Sequence, residues 1–239
     1  MKRLFDFVMA FTGLLMLTPL LLVVMLLVWL QDRHSPLYIA SRMGRGGRAF
    51  NMVKLRSMVM NADKSGVEST SAADTRITRL GHFIRRYKLD ELSQLWNVLI
   101  GDMSLVGPRP NTLAGTEVYT ERERDLLSIR PGITDFASIV FSDEGEILRD
   151  QADPDLAYDQ LIRPWKSQLG LIYLENQSLL LDIRLIFYTL LAVVSKKSAL
   201  NHVVKRLHEL EVDETIITVA QREAPLQPSS PPGSEVISS

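Results

Sequence analysis

Residues 7–30 read FVMAFTGLLMLTPLLLVVMLLVWL, and none of them is ionisable. Extended back to Leu4, the run gains one charge, Asp6. It is too long for the apolar part of a secretion signal, and no small-residue cleavage site follows it. About 20 apolar residues suffice to cross a bilayer as a helix, so a spanning anchor is one reading. Two features favour another. Thr18-Pro19 interrupts the run, and a proline inside a helix removes a backbone hydrogen bond and bends the axis at a cost of ~3 kcal/mol. The Thr18 hydroxyl is placed to serve the freed carbonyls. Both flanks are also basic: Lys2 and Arg3 before, and Arg33, Arg42, Arg45 and Arg48 after. The positive-inside tendency puts both on the cytoplasmic side. A helix that enters, breaks at Pro19 and returns satisfies both flanks. Its arms, about 15 residues or roughly 22 Å each, would be too short to cross ~30 Å of hydrocarbon. A re-entrant membrane anchor over residues 1–35 is therefore expected, with a kinked spanning helix as the alternative.

The remaining chain of this 239-residue protein is long enough for one domain with appendages. The absence of cysteine excludes disulfides and thiolate sites. The net charge of −1 conceals an asymmetry. Residues 1–110 hold 15 Lys and Arg against 8 Asp and Glu, and residues 111–239 hold 12 against 20. A basic half beside an apolar run points to an anionic partner, either phospholipid head groups or a phosphorylated substrate. No helix-turn-helix, zinc-finger or RNA-binding pattern is visible, so no nucleic acid partner is expected.

The pattern beyond the anchor is α+β: a small β-hairpin packed with several helices, some amphipathic and interfacial. Leu37–Met43 and Ala49–Leu55 flank Gly44-Arg45-Gly46-Gly47, a hairpin with a glycine turn. Residues 61–75 read as a loop. Arg76 to Tyr87 places Ile77, Leu80, Ile84 and Tyr87 on one helical face, and Leu92, Leu95, Trp96 and Leu99 mark a second helix. Asp90 reads as that helix's N-cap and Gly101 as its left-handed terminator. Residues 154–176 look helical and amphipathic. Leu179–Val194 is apolar but holds Asp182 and Arg184, which suits a core or interfacial helix better than a span. The domain is expected over 36–200, followed by an extension and disordered tail over 201–239, Pro/Ser-rich from Pro225.

The chemistry concentrates in Arg85-Arg86-Tyr87-Lys88-Leu89-Asp90-Glu91-Leu92. Helix N-termini carry partial positive charge and free N–H groups, which favour phosphate. A carboxylate beside a bound phosphate can attack it or hold Mg²⁺, a cation that bridges phosphates. Asp-Glu at a helix start is also a common capping arrangement, and arginines are commonly a solvated face.

The longer string from Lys88 to Pro110, KLDELSQLWNVLIGDMSLVGPRP, closely resembles the signature of the bacterial sugar transferase family, the monotopic phosphoglycosyl transferases. The resemblance extends to Lys2-Arg3-Leu4-Phe5-Asp6, the proline-interrupted run, Arg42-Met43-Gly44 with Phe50, Lys54-Leu55-Arg56-Ser57-Met58, Arg130-Pro131-Gly132-Ile133-Thr134 and Ser178-Leu179-Leu180-Leu181-Asp182. It covers residues 1–195. It implies an enzyme at the cytoplasmic face of the bacterial inner membrane that uses Mg²⁺, a UDP-sugar and polyprenyl (undecaprenyl) phosphate. Asp90 would attack the sugar-bearing phosphate and release UMP, leaving an aspartyl-phosphosugar for the lipid phosphate to take. Glu91 would assist at the metal or with protons. Arg85 and the Gly107-Pro108-Arg109-Pro110 loop would bind phosphates and nucleotide, with Lys54 and Arg56 facing the same pocket. The resemblance further implies a first step in surface polysaccharide or glycoconjugate synthesis, downstream glycosyltransferases as partners, and leaves a homodimer open. A non-catalytic membrane scaffold of the same fold that recruits glycosyltransferases is the alternative.

The chain departs from the family pattern at Thr18 (commonly Ser), Ser93 (commonly Pro), Ala40 (often Gln) and, most extensively, at Asp135-Phe136-Ala137-Ser138-Ile139-Val140-Phe141, so the sugar is not legible. Asp153-Pro154-Asp155 reads as a turn before a helix rather than a metal motif. Gly44-Arg45-Gly46-Gly47 lacks the context of a nucleotide-binding loop, and the four histidines lack metal-ligand spacing.

Overall fold

The computed structural model describes residues 1–65 and 69–237. Residues 66–68 of the expected loop and the last two residues of the tail lie outside the described residues. Helix α1, Lys2–Asp32, is long and apolar enough by length and composition to cross a membrane. It is continuous through Pro19, so the proline is accommodated within one helix rather than separating two. The Thr18 hydroxyl donates to Leu14 O at 2.6 Å, the carbonyl next to that of Leu15, which Pro19 leaves without its N–H donor. Asp6, Ala10, Leu21, Val24 and Val28 are its buried residues, while Phe7, Phe11, Leu15, Leu22 and Leu26 stand exposed.

Both ends of α1 are tied to the domain by polar groups. Lys2 Nζ donates to Asp182 Oδ2 at 2.6 Å and to Val106 O at 3.1 Å. Asp6 accepts from Ser104 Oγ at 2.8 Å and from Leu105 N at 3.2 Å. At the other end Arg56 donates to both oxygens of Asp32, at 2.5 and 2.6 Å, and to Ser35 O at 2.7 Å.

Strands β1 (Leu37–Met43) and β2 (Ala49–Leu55) form the expected antiparallel hairpin, from Leu37↔Leu55 to Met43↔Ala49. Helix α2 (Arg79–Arg86) starts three residues later than the apolar spacing suggests, because Thr78 caps it, accepting from Gly81 N at 2.9 Å. Helices α3 (Leu89–Leu92) and α4 (Leu95–Ile100) follow, and Gly101 closes α4 at φ 100°. The buried face of α4 differs from the sequence expectation. Leu95, Asn97 and Val98 are buried, whereas Trp96 is 50% and Ile100 53% exposed. The helix lies between α1 and β2, and Asn97 is the link to the strand. Its Oδ1 accepts from Val53 N at 2.9 Å and its Nδ2 donates to Asn51 O at 2.8 Å, so one amide takes the place of a neighbouring strand at this edge.

Strands β3 (Ser104–Val106) and β4 (Gly132–Thr134) pair in parallel. Gly107 and Gly132 meet so closely that a Cβ on Gly132 would lie 2.1 Å from Gly107 N. Short helices α5 (Leu113–Glu117) and α6 (Glu121–Arg124) lie between these strands in sequence. After β4 come α7 (Phe136–Val140), α8 (Glu144–Ile147), α9 (Pro154–Ala157), a π-helical turn (Tyr158–Ile162), α10 (Arg163–Glu175), α11 (Leu179–Val194), α12 (Lys196–Glu209) and α13 (Glu214–Gln221). Phe136, Ile139 and Val140 of α7 anchor a core with Leu169 and Tyr173 of α10, Leu181 and Leu185 of α11, and Val203 and Leu207 of α12. Ile217 and Ala220 of α13 belong to the same core, so the packing continues past residue 200. Residues 222–237 form no helix or strand and follow the domain surface, where Ser229 N donates to Gln160 O at 3.0 Å. The architecture is thus mixed, with two small two-stranded sheets among helices.

Asn97→Ala removes the fully buried amide that partners Val53 N and Asn51 O. It should cost about 2–4 kcal/mol and lower the thermal midpoint of the detergent-solubilised protein by several degrees. An unchanged midpoint would show that this edge is not held by the amide.

Candidate active site

Asp90 and Glu91 occupy α3, a single turn. The N-cap is Lys88 rather than Asp90, and it sits at φ 55°, ψ 27° with no capping bond from its side chain. The chain must reverse sharply between α2 and α3, and the left-handed Lys88 makes that turn. For a non-glycine residue this conformation stores strain, of order 1 kcal/mol. It moves Asp90 and Glu91 into the first turn. Ser93 Oγ lies 3.1 Å from Val53 O and 3.0 Å from Asp90 O, which fastens the turn to β2.

The Gly-Pro-Arg-Pro loop reaches the same place from the β3–β4 pair. Gly107 N donates to Thr134 O and Gly132 N to Pro108 O, each at 2.9 Å. Arg109 then donates through one nitrogen to Glu91 Oε1 at 2.8 Å and to Ile133 O at 3.1 Å. Burial raises the Glu91 pKa, but the charges of Arg109, Lys88 and Lys54 outweigh it and hold the carboxyl below its ordinary range. Burial likewise opposes the charge on Arg109, and Glu91 and Asp90 more than compensate.

Two further cations converge on the pair. Burial pushes the Lys54 ammonium down to about 8, with Arg109 adding repulsion and Asp90 and Glu91 pulling the other way. Arg85 is held by Ser57 Oγ, to which its Nε donates at 3.0 Å, and burial lowers its pKa against the pull of Asp90. In the midst of these charges Asp90 Oδ1 is buried without a hydrogen-bond partner, and so are both side-chain polar atoms of Gln94, one helical turn away. Buried polar atoms are ordinarily satisfied, so orphans of this kind mark a place where a ligand belongs.

Arg56 is not brought to this place. Its side chain is 5% exposed and is committed to Asp32 and Ser35. Thr18 and Pro19 lie along α1. Gly107 contributes the close backbone crossing, while Pro108, Arg109 and Pro110 line an adjoining cleft of about 120 Å³. Asp135, Tyr158 and Lys166 also line it; the sequence marked Asp135 only as the start of the stretch that departs from the family pattern and obscures the sugar, and gave Tyr158 and Lys166 no role. Asp135 caps α7, its Oδ1 accepting from Ser138 N at 2.7 Å and Ser138 Oγ at 2.6 Å, and burial raises its pKa. The signal was an Asp three residues before a serine at the start of an apolar run. Burial acts against the charge on Lys166, but its partner Glu144 outweighs this and raises the pKa. Asp153 caps α9, accepting from Asp155 N and Leu156 N, in line with its reading as a turn residue.

Among the described residues no group of three or more His, Cys, Asp or Glu could enclose a metal ion. A hard divalent cation that shares its shell with substrate phosphates needs only one or two carboxylates. The adjacent Asp90 and Glu91, with the unpartnered Asp90 Oδ1, fit that requirement.

A family model described as Bacterial sugar transferase matches residues 1–196. The chain is 38% identical over 205 residues to an undecaprenyl-phosphate glucose phosphotransferase of Komagataeibacter xylinus, covering 83% of this chain and 36% of that protein. It is 44% identical over 133 residues to a protein of Bacillus subtilis named as a putative undecaprenyl-phosphate N-acetylgalactosaminyl 1-phosphate transferase, covering 56% and 70%. It is 36% identical over 207 residues to the exopolysaccharide production protein PSS of Rhizobium leguminosarum, covering 82% and 96%. The chain therefore spans well under half of the first of these relatives and nearly all of the last.

Because the folded Glu91 carboxyl titrates below its unfolded value, the stability it contributes is complete above the ordinary glutamate range, near ~4.3, and is lost as pH falls through the folded value. Glu91→Gln should therefore lower the denaturant midpoint at neutral pH and flatten its decline on acidification. A variant with the wild-type acid profile would show that the pair with Arg109 carries none of this dependence.

Proposed function

The chain belongs to the bacterial sugar transferase family, and from that premise and the geometry around Asp90 we propose that it transfers a sugar phosphate from a UDP-sugar to polyprenyl phosphate, with Asp90 as nucleophile. The carrying observation is the buried, unpartnered Asp90 Oδ1 among Lys54, Arg85 and Arg109. The three cations draw in the pyrophosphate. An Asp90 oxygen bonds to the phosphorus that bears the sugar, and the bond to UMP breaks with its electron pair leaving on UMP. A phosphate oxygen of the polyprenyl acceptor then bonds to the same phosphorus and expels the Asp90 carboxylate, giving a polyprenyl diphosphate sugar. The Arg109 bond keeps Glu91 beside Asp90, and these two residues would hold Mg²⁺. When bound, that ion neutralises phosphate charge in the transition state. Downstream glycosyltransferases would extend the product into a surface polysaccharide. The intact Asp90 environment argues against a scaffold without catalysis.

The position of α1 supports a re-entrant anchor on the cytoplasmic face of the inner membrane. A straight helix of 31 residues is about 46 Å long, yet both its ends are fastened to one domain by Lys2, Asp6 and Asp32. That favours both termini on one side of the bilayer. The exposed apolar side chains of α1, Trp96 and Ile100 of α4, and Ile183, Phe187 and Leu190 of α11 suit an interfacial setting. The active carboxylate would then lie at head-group depth, where the lipid phosphate is.

Asp90→Asn should reduce UMP release about a thousand-fold or more, and wild-type protein given donor alone should gain the mass of a phosphosugar at Asp90. Undiminished turnover in the variant, with no adduct in the wild type, would overturn the mechanism. The Lys54 ammonium is charged below about pH 8, so kcat/KM for the donor should fall as pH rises through that value, and this alkaline limb should vanish in Lys54→Met. A limb that persists in the variant would assign it to another group.

A further inference from the structure

The cleft beyond Arg109 differs in charge from the ground in front of it. The front, with Lys54, Arg85 and Arg109 around two carboxylates, suits a pyrophosphate. The rear holds Asp135, Tyr158, Lys166 and Arg163, with Glu144 paired to the lysine and Glu123 to the arginine. Each of these two cations is already matched by a carboxylate, which leaves less attraction for a phosphate than at the front. Hydroxyl groups that donate to an acceptor and accept from an ammonium or phenol fit there better.

Asp135 is the informative member. It is 1% exposed, yet it lines the cleft. Both hydrogen bonds it receives from Ser138 go to Oδ1. Its Oδ2 has no hydrogen-bond partner among the described residues. One oxygen thus builds the start of α7, and the other is an acceptor left for a guest.

We propose that this rear cleft is the sugar subsite and that Asp135 is a specificity-determining residue, its Oδ2 accepting a hydrogen bond from a sugar hydroxyl of the donor. The inference rests on the transferase reading and adds to it the part of the substrate that this chain selects. Lys166 and Tyr158 line the same cleft.

The test uses full-length protein in membranes and reads UMP release. Asp135→Asn keeps an N-cap oxygen for α7 and replaces the cleft-facing acceptor with an N–H donor, so the fold is preserved while the recognition is inverted. It should raise KM for the preferred UDP-sugar about tenfold or more and leave inhibition by UDP, which has no sugar, within about twofold of wild type. Among deoxy-sugar donors, one should be penalised in the wild type and not in the variant. An unchanged KM and unchanged deoxy-donor pattern would overturn the proposal. Equal weakening of UDP inhibition would also overturn it, by assigning the cleft to the nucleoside. If the wild type releases no UMP from any donor, the transferase reading itself fails, which is a separate result.

Discussion

A charge taken out of water needs a partner, and the connection between the apolar helix and the domain is built from that requirement. Lys2 meets Asp182, which is buried and also accepts from Tyr173. Arg56, equally buried, forks onto Asp32. Removing one member of such a pair strands the other and costs about 3–5 kcal/mol, far more than the pair contributes against an apolar replacement. The pairs therefore act less as glue than as register marks. They fix which side of α1 faces the domain, leaving the rest of its surface apolar. The position of α4, packed on α1, and of β2, held by Asn97, follows from that orientation.

The same rule, left incomplete, marks the candidate site. Glu91 and Arg109 satisfy each other across 18 residues of sequence. Asp90, its neighbour, keeps one oxygen unmatched, and Gln94 keeps a whole amide so. The strained Lys88 and the glycine contact between Gly107 and Gly132 bring these groups together. Each belongs to a rigid crossing rather than a loose loop, as the proposed phosphoryl transfer would require.

Local patterns carried much of this. The hairpin boundaries, the Gly101 terminator and the helical character of Leu179–Val194 follow from turn chemistry and apolar spacing. Spacing alone failed on α4, because the helix packs between the apolar α1 and the polar backbone edge of β2. Trp96 looks like core by period and is exposed, while Asn97 looks like surface and is buried. Arg56 illustrates another limit. A cation next to the site in sequence turned its side chain toward the end of α1, and only the three-dimensional path of the chain reveals Asp32 as its partner. Asp135 and Lys166 come from segments with no distinctive motif, so their meeting was invisible until β4 and α10 were placed.

The two-ended attachment of α1 bears on how the protein meets bilayers of different thickness. A free helix answers hydrophobic mismatch by tilting, at a cost of fractions of a kcal/mol per ångström. Pinned at Lys2 and at Asp32, this one is denied that response. In the proposed membrane setting the acyl chains would have to adapt around α1, since the helix could not reorient apart from the domain it is fastened to.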